Sequence, residues 1–233
     1  ETGNRNTTGN DNFFGGTQAG YFNTTGSSNA FVGSFAGMLN TSASYNSAFG
    51  RDALQYNQTG TSNVAIGYQS LLGVSGNSHS NNTAIGYQAG LAITTGSKNF
   101  FGGRMAGKSA TTSQDSVMIG DLAGQAVSSA SNNVMIGANS GRSTTTGADN
   151  NFLGRSSGYA NTTGSDNIVI GNSASFWNQT GVGNVALGSN ALMGTSGSSY
   201  SGNTAIGQQA GYSISTGGQN LFSGYRAGYN TTT

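Results

Sequence analysis

One glycine recurs through the whole chain on a fixed beat: Gly16, Gly33, Gly50, Gly67, Gly86, Gly103, Gly120, Gly137, Gly154, Gly171, Gly188, Gly207 and Gly224. The interval is 17 residues, except for 19 from Gly67 to Gly86 and 19 from Gly188 to Gly207. A unit this short cannot be a helical hairpin repeat, which needs about 33 residues. Forty glycines among 233 residues also rule out helices, since each interior glycine costs a helix about 1 kcal/mol.

Taking that glycine as position 0, the other columns follow. Position −4 is Asn in every repeat but one, as in Asn29, Asn46, Asn63, Asn82, Asn99, Asn133, Asn167, Asn184, Asn203 and Asn220; Ser116 is the exception. Position −2 is apolar and position +3 is Ala or Ser. Position −8 is Thr or Ser, commonly in a Thr-Gly pair. Between Asn and Gly lie three residues such as Val64-Ala65-Ile66 or Ile168-Val169-Ile170. They are short and rich in β-branched residues, the mark of strands. Short strands on a fixed period predict an all-β, parallel β-solenoid of thirteen coils, one per repeat. In such a stack the Asn column becomes a hydrogen-bonded ladder. Position 0 suits a corner with φ > 0. Volume is expected to balance between neighbours, Phe14 preceding Gly15 and Ala65 preceding Ile66, as close packing requires. Asn63 to Gly67 reappears 121 residues later as Asn184 to Gly188, each followed by a 19-residue repeat. Residues 1–233 thus read as a single array with an internal duplication. Glu1-Thr2-Gly3 reads as an expression scar outside it, and the chain, starting without Met, as a fragment or processed product.

Composition narrows the function. Charged residues are 6% and the net charge is +1, which offers nucleic acid or anionic lipid no electrostatic footprint. There is no Cys and a single His, so thiolate metal sites, disulfides and Cys nucleophiles are excluded. No apolar run approaches the roughly 20 residues of a membrane helix. The seven acids are scattered, unlike the dense carboxylates of a calcium-binding roll. No metal, cofactor or catalysis is expected: His79 has no acidic or nucleophilic partner at a suggestive spacing.

The repeat resembles the head repeats of trimeric autotransporter adhesins, and more nearly the related repeats of phage tail fibres and bacterial surface fibres. Asn82-Thr-Ala-Ile-Gly-Tyr-Gln-Ala89 carries the resemblance in full, with Asn63-Val-Ala-Ile-Gly-Tyr-Gln-Ser70 and Asn203-Thr-Ala-Ile-Gly-Gln-Gln-Ala210 beside it. The resemblance implies a left-handed β-roll in a homotrimeric extracellular fibre. It also implies a cell-surface glycan or cell-envelope receptor as partner. The autotransporter repeat is shorter, near 14 residues, which is where this chain departs from it.

Several residue sets are candidates for function. The 19-residue repeats bulge around His79 and Tyr200, read as exposed loop residues with a lesser chance of touching a glycan. Arg51, Tyr68, Tyr87, Arg104, Arg155 and Tyr225 form a column at position +1, and Arg and Tyr are typical of recognition surfaces. Tyr21, Met38, Leu91, Tyr159, Phe176, Trp177, Tyr212 and Tyr229, at positions +5 and +6, read as an inter-chain seam that supplies the burial a thin coil lacks. The Thr-Gly column admits an alternative, an ice-binding face built on one outward Thr row. Sequons at Asn6, Asn23, Asn40, Asn57, Asn81, Asn161, Asn178 and Asn230 read as by-products of an Asn-Thr-Thr turn.

Overall fold

The computed structural model describes residues 1–233 and contains no helix. The chain is an all-β parallel β-solenoid with one three-residue strand in each of its thirteen repeats. It forms two compact units, Glu1–Asp115 and Ser116–Thr233. The first carries β1 (Phe13–Gly15), β2 (Ala30–Val32), β3 (Ser47–Phe49), β4 (Val64–Ile66), β5 (Thr83–Ile85) and β6 (Phe100–Gly102). The second carries β7 (Val117–Ile119), β8 (Val134–Ile136), β9 (Asn151–Leu153), β10 (Ile168–Ile170), β11 (Val185–Leu187), β12 (Thr204–Ile206) and β13 (Leu221–Ser223). Within each unit consecutive strands pair in parallel with equal repeat positions opposite, Phe14 to Phe31 and Val169 to Ala186. The 19-residue coils keep the same register at the strand, Ala65 opposite Ala84.

The Asn column is a ladder in both units. Asn63 Oδ1 accepts from the Asn82 backbone N at 3.0 Å, as Asn46 Oδ1 does from Asn63 N at 2.9 Å. The amide nitrogen of each then reaches the carbonyl at position −7 of the following coil, Asn150 Nδ2 to Gly164 O at 2.9 Å. A second ladder, at position +7, meets the first. Asn161 Nδ2 donates to the same Gly164 carbonyl at 3.1 Å, and Asn57 joins Asn46 on Gly60 O. Both lone pairs of these carbonyls are thereby occupied. These +7 residues are five of the sequon asparagines. Asn23, Asn40, Asn57, Asn161 and Asn178 are all buried, whereas Asn6, Asn81 and Asn230 are exposed. The Asn-Thr-Thr segment is therefore a buried structural column, and five of its sequons lie inside the coil, out of a glycan's reach.

The interior is one side chain thick, and its volume is balanced across the coil. The middle strand residue at −2 points inward and faces position +4. Phe14 lies over Gly20, Phe31 over Gly37 and Phe152 over Gly158; a Cβ on Gly37 would sit 2.5 Å from the Phe31 ring. Where position −2 is Ala48, Ala65 or Ala186, position +4 is the buried Leu54, Leu71 or Leu192. Where both are small, Ala84 with Gly90, Phe101 and Leu71 close on the gap from the coils on either side. The expected balance between positions −2 and −1 is incorrect. A strand alternates its faces, so Ile66, Ile85 and Ile206 lie outside the sheet, exposed, while Ala65, Ala84 and Ala205 are buried. Glu1–Gly3 are also not outside the array. The Gly3 backbone N bonds Ala19 O at 3.0 Å and Gln18 N bonds Glu1 O at 2.9 Å, in the pattern of later coils, such as Gly20 N to Ala36 O and Phe35 N to Thr17 O.

Corners are made by left-handed residues at positions −5, +2 and +4, most of them not glycine, among them Asp149, Ser156 and Leu54. Position 0 is different. Gly154 has φ +130°, and a Cβ there would lie 2.6 Å from Gly171 O, against the backbone of the next coil. Gly154→Ala should therefore cost roughly 2–4 kcal/mol, from the forbidden backbone region and the contact together. Gly183→Ala, at φ +69° with nothing within 4 Å, should cost about 1 kcal/mol. Thermal unfolding of the two variants measures the difference.

Candidate functional surfaces

The fold makes no pocket, and no three His, Asp or Glu side chains come together. Function on this molecule is a matter of faces, each built from one or two repeat columns. The strip at position +1 is continuous over four coils of the first unit: Arg51, Tyr68, Tyr87 and Arg104, all exposed. The two Tyr rings stack at 5.5 Å with planes 16° apart. Behind them Gln88 Nε2 donates to Gln69 Oε1 at 2.9 Å. Arg51 leans on Asp52 at 3.4 Å. Because the rings stack along the column, they offer outward their edges and hydroxyls. Arg155 and Tyr225 stand in the second unit, well separated in repeat number from each other and from this strip.

The column at +5 and +6 is a set of aromatic stacks within one chain. Tyr159 and Phe176 stack at 4.7 Å, Trp177 meets Phe176 edge-on, and Tyr212 stacks on Tyr229 at 4.8 Å. Arg142 covers Tyr159, Arg226 covers Tyr229 and Arg5 covers Phe22, where Tyr21 packs edge-on. The aromatic residues, with Met38 and Leu91, are half-buried, whereas Arg5 and Arg226 are exposed. Much of the burial expected from a partner chain comes instead from neighbouring coils.

Most of the exposed large apolar side chains lie elsewhere, on the outer face of the sheet. Positions −3 and −1 both point outward there, and the residues at them include Ile66, Ile85, Ile119, Ile136, Ile168, Ile170 and Ile206, all exposed. No charged residue stands at either position in any of the thirteen strands. Strings such as Val-Met-Ile and Ile-Val-Ile carry the signal, because strand alternation turns their first and third residues outward.

His79 and Tyr200 are the clearest departure from expectation: they are 2% and 0% exposed. Both occupy position −7, which is Gly in most coils because a Cβ there meets the next coil; at Gly60 it would lie 1.9 Å from His79 O. The two extra residues of the 19-residue coils make room for a ring inside. Neither can meet a ligand from there. Tyr200 is satisfied, its hydroxyl bonded to the Leu192 carbonyl and 3.1 Å from Ser175 Oγ. Burial raises its pKa, with the Ser175 hydrogen bond opposing weakly. His79 is not satisfied. Neither ring nitrogen has a hydrogen-bond partner, and Leu54 stands where the other coil has Ser175. Burial lowers its pKa to about 4, against a smaller pull from the Leu71 backbone, which lies outside hydrogen-bond geometry.

The Thr-Thr turn divides its two hydroxyls. Position −9 turns to the backbone, Thr24 Oγ1 donating to Thr41 O at 2.9 Å and Thr145 Oγ1 to Thr162 O at 3.0 Å. Position −8 is exposed, as at Thr25, Thr95, Thr112, Thr146 and Thr163. One outward Thr row results in each unit.

The neutral folded His79 sets a pH dependence. The unfolded ring takes its proton near pH 6.5 and the folded one only near pH 4. Stability is therefore complete above about pH 6.5, falls as pH drops through the window between, and levels off below about 4, for a total near 3 kcal/mol. His79→Tyr, copying the Tyr200 coil, should remove this slope from a series of thermal unfolding curves.

No family model matches this sequence, and no curated protein and no solved structure is similar to it at a significant level.

Proposed function

We propose that this chain is a structural and adhesive segment of an extracellular fibre in which three chains run together, similar to the trimeric autotransporter heads and phage tail-fibre repeats that its motif resembles. The observation that supports this reading is the redundancy of the links between coils. Strand pairing and the Asn column link successive coils, and in several coils an Asn at position +7 and a Thr-to-carbonyl bond are added. Each hydrogen bond contributes about 1 kcal/mol net, and repeated along each unit they make a stiff spacer whose parts depend only on their neighbours. Recognition, in this reading, falls to the exposed Arg51–Tyr68–Tyr87–Arg104 strip, whose hydroxyls and guanidinium groups suit the polar edges of a cell-surface glycan. This reading involves no catalysis; the one imidazole, His79, is buried inside a coil.

A glycan array probed with the wild type and with the double variant Tyr68→Ala, Tyr87→Ala tests the adhesive half. The expected result is a set of glycans bound by the wild type and lost by at least tenfold in the variant. An array without hits removes recognition from this segment and leaves the spacer.

The outward Thr row favours one second reading, an ice-binding face. Replacing Thr25, Thr95 and Thr163 with Tyr should then abolish thermal hysteresis. No hysteresis in the wild type at high concentration eliminates the reading.

A further inference from the structure

The two 19-residue coils carry the same segment with different ties to their neighbours. In the Tyr200 coil, Gln179 N donates to Ser198 O at 2.9 Å, Ser199 N to Ser215 O at 2.9 Å, and Ser198 Oγ to Ile214 O at 3.3 Å. The corresponding residues of the His79 coil, Gln58, Ser78 and Asn77, make none of the three. What remains are bonds to the preceding coil: His79 N to Asn57 Oδ1 at 3.1 Å, Thr59 N to Ser78 Oγ at 3.1 Å and Thr61 N to Ser80 Oγ at 2.9 Å. Toward the following coil, Gly73 N bonds Leu91 O at 3.0 Å and Lys98 N bonds Ser80 O at 3.4 Å, with no bond between these two points. Val74, Ser75 and Gly76 at the tip are exposed, and a Cβ on Gly76 would meet nothing within 4 Å. The same loosely tied segment carries inward the one ring without a partner, both His79 nitrogens being buried and unbonded. No charged group faces that ring. On the coils around it Arg51 pairs with Asp52 and Lys98 with Asp115, Tyr56 is half-buried at position +6, and Tyr68 and Tyr87 stand on the outer strip.

We propose that residues 73–80 form an acid-released strap, closed at neutral pH with the His79 ring packed inside its coil and swung out when that ring takes a proton. An imidazolium would find no acceptor where the ring now lies: no carboxylate faces it, and the Leu71 backbone is outside hydrogen-bond geometry. An unpaired charge in such an interior is strongly disfavoured, so the proton is taken with the strap open. Release stays local. In a stacked array each coil is tied only to its neighbours, and a segment with few ties opens before the whole. The coil has two residues more than the 17 of its neighbours. That slack lets β4 and β5 keep their register, Ala65 opposite Ala84, while the strap leaves. Opening breaks the bonds that hold the His79 backbone to Asn57 and Asn63. The Tyr200 segment has the same length but neither the group nor the weakness, because its hydroxyl is bonded and its backbone is tied on both sides. Acid therefore acts at one point of the array, on the segment between Tyr68 and Tyr87, and the first unit gains a single softened coil. This goes beyond the stability slope set by His79, since it states where in the chain the proton is taken up.

Hydrogen exchange of the whole chain, read amide by amide against intrinsic rates at pH 7 and pH 5, tests the strap. The amides of Thr59, Thr61 and His79, bonded only while it is closed, should lose roughly twentyfold of their protection between the two pH values, as the burial of His79 implies. The strand amides of Val64 and Thr83, and that of Tyr200, should keep theirs. In the variant Leu54→Ser, His79→Tyr, which copies the Tyr200 coil, the loss should vanish. Should that variant fail to fold, the wild type alone decides. Its protection at Thr61 should fall about tenfold per pH unit between pH 6 and pH 4, the signature of a single proton, and an NMR titration of its one imidazole should lie well below that of a free histidine. Equal loss throughout the first unit overturns the strap and leaves a uniform weakening. Loss that persists in the double variant, no loss at pH 5, or an imidazole that titrates like a free one overturns it as well.

Discussion

A coil of 17 residues encloses too little to hold itself. What holds it is the Asn column bonded to the carbonyl at position −7 of the following coil, joined at Gly26, Ala43, Gly60 and Gly164 by a second amide from position +7. Asn150 and Asn161 on Gly164 O, or Asn46 and Asn57 on Gly60 O, tie the inner side of the turn to the coils on either side. These groups are sealed from water, so leaving any of them unpaired would cost about 1–3 kcal/mol. The ladder therefore sets register as well as adding stability. A coil slipped by one residue would strand its amides in an apolar interior.

With register set in this way, each coil's interior becomes a small filling problem solved between positions −2 and +4, with help from the coils on either side. Phe over Gly and Ala under Leu are two solutions of similar volume, and Ala84 with Gly90 borrows from both neighbours. The 19-residue coils admit a third solution. Their extra length lets position −7 carry a ring inward. Tyr200 brings a hydroxyl that its surroundings satisfy, while His79 brings two nitrogens that they do not. The two 19-residue coils thus differ in one physical respect: only the His coil has a buried ring that can gain a proton.

The same alternation that fills the interior empties the other side of each strand. Neighbours of an inward residue must point outward, so a triplet of three apolar residues yields one core residue and two surface residues. Repeated through a unit, this produces an uncharged apolar sheet face between two charged columns. The aromatic columns contrast with it. Their rings satisfy one another along the stack, and Arg5, Arg142 and Arg226 close over them.

Periodicity determined a good deal unaided. It placed every strand, assigned the Asn column its ladder, picked out position 0 as a required glycine and marked the two 19-residue coils as special. Those features depend on residues one period apart, and in a solenoid such residues are stacked neighbours. Tertiary structure alone decided which columns face one another across a coil: −2 with +4, −4 with +7, and the direction of −7. That depends on left-handed corners at −5, +2 and +4. Gly holds most of the +4 corners and Asp or Asn many of the others, but Gln, Ser and even Leu, which have little left-handed preference, occupy the rest, so the turning of the chain was only partly legible. The buried sequons, the inward His79 and Tyr200, and the outward Ile rows all follow from it.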